Sequence, residues 1–286
     1  MAILDYFQDF NAVSAVLVFI YCSLFGSFLN VVIYRMPAER SIVFPGSACG
    51  TCGTPLSWWE NLPVVSYFLL GGHCKTCGAV FSMRYAGIEA LMGLIGVGLL
   101  KFLTIGEMAA LTSGMRIFYL CFLFGFSCWL TAVFFMDLDH WIILDSINFS
   151  GALFALTCAY FVPFRDDLPI IFNEGVTNII SSLLGMACGL IFFWSIKTVG
   201  TYVAKQDALG SGDVKLAMMI GAFLGWQLAI VSYFLSFIIG ACLAIMLLII
   251  RVRKSKDPMP LGTFMAIAGL VTAVWGNDIL EWLFYV

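Results

Sequence analysis

Runs of about 20 mainly apolar residues recur along the chain, each long enough to cross the hydrocarbon core of a bilayer as a helix. They fall at 12–34, 85–104, 116–136, 141–163, 176–204, 214–231, 232–250 and 262–285. The expectation is an all-α polytopic membrane protein with about eight transmembrane helices. The division after 231 is the least marked, because GWQLAIVSYFLSFIIG is apolar and only Trp226, Gln227 and Ser232 suggest an interface. Seven spans is the alternative. With 62% hydrophobic and 11% charged residues, the chain carries far more apolar surface than a soluble core uses. A net charge of -3 without an extended basic face excludes nucleic-acid binding.

The flanking charges orient these helices. Arg35, Arg40, Lys75 and Arg84 lie on one side, joined by Lys205, Lys215, Arg251, Arg253, Lys254 and Lys256 if there are eight spans. The other side carries Lys101, Arg116 and Arg165 beside Asp166, Asp167 and Glu174. Cytoplasmic loops are enriched in Lys and Arg, so the first group is expected in the cytoplasm and the N-terminus outside. No basic stretch precedes the first apolar run and no small-residue cleavage site ends it, so it reads as a retained span.

Residues 36–84 do not belong to the bilayer, being rich in proline, glycine and polar residues. Two Cys-x-x-Cys pairs lie here, Cys49 with Cys52 and Cys74 with Cys77, each beside glycine in a knuckle-like turn. Four thiolates at this spacing suit a tetrahedral zinc ion, and a full shell leaves no place for water, which makes the metal structural. Disulfides are the competing reading, disfavoured in a reducing cytoplasm. His73 is a minor candidate ligand beside Cys74. The other cysteines lie unpaired in apolar spans and read as small core residues.

Carboxylates at the mouths of apolar segments are costly enough to demand a purpose. Asp137, Asp139 and Asp145 occur in FMDLDHWIILDS and Asp213 in ALGSGDVKLA, all on the expected cytoplasmic face. Two converging aspartates suit acid/base hydrolysis of a peptide bond, since neighbouring carboxylates do not both ionise cheaply. The bland alternative for Asp213 is to cap the helix that it opens. Glu89 sits a turn inside the second span and needs a partner, for which Arg84 or Arg35 is the expected choice.

GSFLNVVIYRMP (Gly26 to Pro37), the cysteine pairs flanking LSWWENLPVVSYF, RYAGIEAL (Arg84 to Leu91), MDLD and GSGDVK occur in one order. Together they resemble the type IV prepilin leader peptidases. The resemblance implies a bifunctional enzyme of the bacterial inner membrane, serving type IV pili or type II secretion. It would cut the basic leader from prepilins or pseudopilins on the cytoplasmic side, then N-methylate the new terminus with S-adenosyl-L-methionine. It implies an aspartyl protease on a GxGD scaffold: Gly210, Gly212 and Asp213 match directly, with Asp137 as partner and Asp139 and Asp145 as rivals. Leu144 stands where the family commonly has proline before the later aspartate.

By the same resemblance, residues 1–35 form a first span, 36–84 a zinc-binding cytoplasmic domain linked to methylation, and 85–286 a peptidase core. Glu60 and Glu89 are the acidic candidates for binding the methyl donor. No glycine-rich nucleotide fingerprint accompanies them. Two rivals remain. A zinc-bearing transporter with a carboxylate proton relay predicts acids spread through the bilayer depth and an internal repeat, and neither occurs. A peptidase-only member would lack the loop between Pro37 and Arg84, which is intact here.

Overall fold

The computed structural model describes residues 10–105, 112–161, 178–205, 209–250 and 259–284. The charges at 165–174 and 251–256 used for orientation lie outside these residues. Apolar sequence in lipid must satisfy its backbone hydrogen bonds internally, and helices do so. They run as α1 (Ala12–Arg35), α2 (Val65–Leu69), α3 (Met83–Leu103), α4 (Ser113–His140), α5 (Asp145–Phe161), α6 (Asn178–Ala204), α7 (Ser211–Ile249) and α8 (Leu261–Phe284). Among the described residues, six helices are long and apolar enough to cross a membrane; α5, with 17 residues, is shorter than these.

The chain forms two compact units, Met1–Cys128 and Trp129–Val286, with the boundary inside α4. In the first, α1 begins at a reciprocal cap between Asn11 and Ser14 and ends just before Pro37, which has no N–H to continue the helical ladder. α1 lies directly against α3: a Cβ on Gly26 would stand 2.7 Å from the Glu89 Cα. Such small residues let membrane helices approach closely. The Asn30 side chain adds a bond to the Tyr85 carbonyl at 3.1 Å.

The loop between α1 and α3 has almost no apolar core. From 36 to 82 the buried residues are Cys49, Gly72 and Cys74. Polar ties hold it instead. Arg35 donates to the carbonyls of Ser41, Pro45 and Gly46 at 3.1, 2.7 and 3.1 Å. Arg35 is therefore spent on backbone and is not the partner expected for Glu89. Among the described residues there is no strand, only isolated bridges pairing Ala48 with Pro55 and His73 with Val80.

In the second unit α7 packs against α5, α6 and α8. α7 is not one rod. Gly225 has φ 71° and ψ 175°, a conformation that side chains disfavour and glycine accepts. The Tyr233 hydroxyl donates to the Ala217 carbonyl at 2.7 Å, although residues 16 apart on a straight helix are separated by about 24 Å. The chain thus reverses at Gly225 into two arms, 211–224 and 226–249. The division expected after 231 falls six residues earlier, next to Trp226 and Gln227. Apolar side chains continue through the corner, so periodicity does not reveal it. A break in a helix leaves backbone groups without helical partners, and the Ser182 hydroxyl meets another, the Ala222 carbonyl, at 2.8 Å.

Candidate functional site

Three clusters of polar side chains stand out from the apolar framework, two in the first unit and one in the second. The simplest is the thiol cluster. Cys49 and Cys74 each accept and donate across a tight turn: Cys49 N–H to Thr54 O at 2.9 Å, Cys74 N–H to Ala79 O at 2.8 Å, with Gly53 and Gly78 closing back at 2.9 Å. Gly53 and Gly78 have φ of 70° and 71°, which explains the glycine after the second cysteine of each pair. The two turns converge so that all four sulfurs lie within 4.8 Å of one another. Cys49 Sγ is 3.8 Å from Cys77 Sγ, and Cys52 Sγ 4.0 Å from Cys74 Sγ.

A tetrahedron of sulfurs about 2.3 Å from its centre has edges of about 3.8 Å, so the cluster has the dimensions of a metal site. Its electrostatics agree. The Thr54 hydroxyl and N–H hold the Cys52 thiol down to about 6, and backbone N–H groups of Cys77 and Thr76 lower Cys74. Against the pull of the Ala79 N–H, desolvation and the neighbouring thiols push Cys77 up to about 12. Crowded thiolates repel, and a bound cation relieves that repulsion. His73 is not part of the cluster; its Nδ1 lies 2.6 Å from the Gly71 carbonyl.

Beside the thiols, a cavity of about 360 Å³ opens between α1, α3 and the loop. Tyr34, Tyr67, Phe81 and Tyr85 contribute aromatic faces, and Glu60 and Glu89 stand in its wall together. Sequence spacing gives no hint of that meeting. Glu60 reaches back to the Ser57 N–H at 2.8 Å, capping the short 3-10 turn Trp58–Asn61. Glu89 accepts the Val64 N–H at 2.8 Å, where an arginine had been expected. Val64 has φ 63°, a genuine strain for a β-branched residue.

The third cluster lies wholly in the second unit. Asp137, 5% exposed near the end of α4, accepts from the Thr263 N–H at 2.8 Å and the Thr263 hydroxyl at 3.1 Å. Asp213 is half-buried in the first turn of α7 and accepts the Gly210 N–H, so it does cap its own helix. It also stands within electrostatic range of Asp137, with Lys197 acting on it from α6. Ile143 is wedged between the two acidic elements. A Cβ on Gly212 would come within 2.9 Å of the Ile143 Cβ, and one on Gly262 within 2.6 Å of its Cδ1. The rival acids lie elsewhere: Asp139 is exposed, and Asp145 is exposed and paired with Lys215 at 2.5 Å.

Sequence reasoning missed Gly262, Thr263, Ile143 and Asn148. Asn148 is fully buried, with its Nδ2 3.4 Å from the Gly212 carbonyl. None belongs to a motif with chemistry of its own; PLGTF before an apolar run signals only a helix start.

Comparison with known proteins gives this constellation a context. A family model described as the bacterial peptidase A24 N-terminal domain matches residues 20–102, and one described as the type IV leader peptidase family matches 124–245. A prepilin leader peptidase/N-methyltransferase of Aeromonas salmonicida is 30% identical over 298 residues, covering 93% of this chain and 92% of its own. The chain belongs to the type IV leader peptidase family. A relative with the same description from Pseudomonas aeruginosa is 30% identical over 317 residues, 98% of this chain and 96% of that one. Another, from Myxococcus xanthus, is 34% identical over 240 residues, 84% of this chain and 65% of that one. No solved structure matches the chain. The two family matches cover the thiol residues, the cavity residues and Asp137 with Asp213, so all three clusters lie in family-defined parts of the sequence.

Proposed function

We propose that this family member removes the basic leader of prepilins or type II secretion pseudopilins and then N-methylates the new terminus, from the cytoplasmic face of the bacterial inner membrane. The observation that carries the proteolytic half is the approach of Asp137 and Asp213, 76 residues apart in sequence, inside one compact unit. A dyad of this kind hydrolyses a peptide bond without a covalent intermediate. One carboxylate takes a proton from water as the water attacks the scissile carbonyl, and the other gives its proton to the carbonyl oxygen. When the C–N bond breaks, the leaving amine receives the proton first taken from water. Gly212 lets the start of α7 pack against Ile143, and at Gly210 a Cβ would stand 3.0 Å from Asp213 Oδ2. Lys215 is occupied by Asp145 and serves no base function.

Cys49, Cys52, Cys74 and Cys77 would hold Zn²⁺, whose binding energy becomes folding energy for a loop that buries so little else. The cavity beside it suits S-adenosyl-L-methionine: about 360 Å³ falls in the range of small-ligand sites. The donor, when bound, supplies an activated methyl group. Aromatic faces of Tyr34, Tyr67 and Tyr85 would stack on its adenine, and Glu60 and Glu89 would accept hydrogen bonds from its hydroxyl or ammonium groups. In this reading 1–35 anchors, 36–84 serves methylation and 85–286 serves proteolysis, except that Glu89 on α3 joins the methylation site. The basic residues Arg35, Arg40, Lys75 and Arg84 support a cytoplasmic loop. A prepilin would present its leader there while its apolar helix docks laterally among the spans.

The test follows leader removal and methyl incorporation separately in Asp137→Asn, Asp139→Asn, Asp145→Asn and Asp213→Asn variants. Asp137 and Asp213 variants lose cleavage by a factor of at least about 10³ yet methylate a pre-cleaved substrate. The other two cleave at near-normal rates. Full cleavage by Asp213→Asn ends the aspartyl-protease reading. Equal cleavage of a substrate stripped of its apolar helix ends the lateral-docking reading.

A further inference from the structure

We infer that Gly262 and Thr263 form a clamp that fixes Asp137 as the ionised, water-activating member of the dyad and leaves Asp213 to hold the proton. This rests on the reading of Asp137 and Asp213 as the catalytic pair, and it assigns them different parts.

The two carboxylates are held unequally. Asp137 Oδ2 receives the Thr263 N–H and hydroxyl, and the Gly262 N–H also bonds the carboxylate. These donors open α8, so they add the partial positive charge of a helix start. Donors directed at a carboxylate favour its charged form, and charge-assisted bonds are the strong ones. Among the described residues Asp213 has one backbone donor, Gly210, at its own helix start, with Lys197 acting from a neighbouring helix. Among the described residues, Lys197 on α6 acts on Asp213 and the two carboxylates act on each other, while Lys215 and Asp145 satisfy one another. The proton shared by the pair therefore resides on Asp213.

The clamp also orients. With Oδ2 engaged by the Thr263 N–H and hydroxyl, the carboxylate is held at a fixed angle as it takes a proton from water. As the water oxygen bonds to the scissile carbon, Asp137 gains that proton and Asp213 gives its own to the carbonyl oxygen. On collapse the C–N bond breaks, the amine takes the proton from Asp137, and the hydroxyl formed on the carbonyl returns a proton to Asp213. Gly262 admits no side chain, because a Cβ there would stand 2.9 Å from Asp137 Oδ2. Thr263 is accordingly a positioning residue acting through Asp137.

The decisive variant is Thr263→Val, which keeps the shape and the backbone N–H but removes the hydroxyl. It is assayed as the full-length protein in detergent with a prepilin substrate, beside Thr263→Ser, Thr263→Ala, Asp137→Asn and Asp213→Asn. Removing a hydrogen bond to a charged group is expected to lower kcat by roughly 10- to 100-fold with KM within about twofold. The acidic limb of the pH profile is expected to move up by about one unit, since the base has lost a donor to its charged form. Thr263→Ser restores both. A kcat or acidic limb unchanged in Thr263→Val overturns the clamp. If that variant does not give a normal thermal transition, Thr263→Ala is read by the same criteria. Cleavage by Asp137→Asn overturns the dyad itself, whereas an inactive Asp137→Asn beside an unaffected Thr263→Val overturns only the clamp.

Discussion

Val64 donates its backbone N–H to the Glu89 carboxylate across 25 residues of sequence, at 2.8 Å. The bond holds a valine at φ 63°, a conformation that costs on the order of 1–3 kcal/mol and persists only where surroundings enforce it. Glu89→Gln keeps an acceptor but removes the charge; Glu89→Ala removes both. Methyl incorporation is expected to fall by at least about tenfold in Glu89→Ala and less in Glu89→Gln. Leader removal by both variants serves as the control for folding. Undiminished methylation by Glu89→Ala would separate this residue from the methyl-transfer site.

Removal of the metal proposed for the four thiols is expected to unfold the loop while leaving the aspartate pair intact. Chelation should abolish protection of residues 36–82 from protease and lower methylation far more than cleavage. Proton competition should act in the same direction. The Cys52 thiol is depressed to about 6 from an ordinary 9.0, so its contribution is full above that ordinary value and is lost as pH falls through about 6. Metal occupancy, measured by dialysis and elemental analysis, should therefore decline on acidification through that region and recover on return to pH 8.

The reversal at Gly225 depends on groups that repair the broken helix. Tyr233→Phe removes the hydroxyl that binds Ala217 O and is expected to cost about 1 kcal/mol, read as a lowered thermal midpoint in detergent. Gly225→Ala should cost more, because alanine is strained at φ 71°.

Lys215 and Asp145 form an ion pair whose side chains retain 30% and 58% exposure. Exposed pairs contribute about 0–1 kcal/mol. Lys215→Ala should leave cleavage within about threefold of normal, and its small deficit in stability should vanish at high salt, where the pair is screened in the unsubstituted protein as well. A loss of cleavage comparable to that of Asp213→Asn would place Lys215 in the chemistry instead.

The apolar runs, the paired cysteines and the GxGD turn were legible because each is a local pattern with a local cause. The knuckle turns, for instance, need glycine after Cys52 and Cys77, and the sequence provides it. Long-range pairings left no such trace. Thr263 meets Asp137 across 126 residues, and Glu89 found a backbone N–H where its nearest cations suggested an ion pair. The corner of α7 was hidden for a related reason. The carbonyls that it frees are met by side chains such as Ser182, so the corner needs no polar interruption of its own.

Ile143 has no functional group, yet it sits between Gly212 on one side and Gly262 on the other. The gap between the two acids is thus gauged by the bulk of a hydrocarbon on a third segment. A smaller residue there is expected to leave slack between the two carboxylates; a larger one is expected to prise them apart. With the two acids as the catalytic pair proposed above, drift at a position that a chemist would overlook is expected to register directly as turnover.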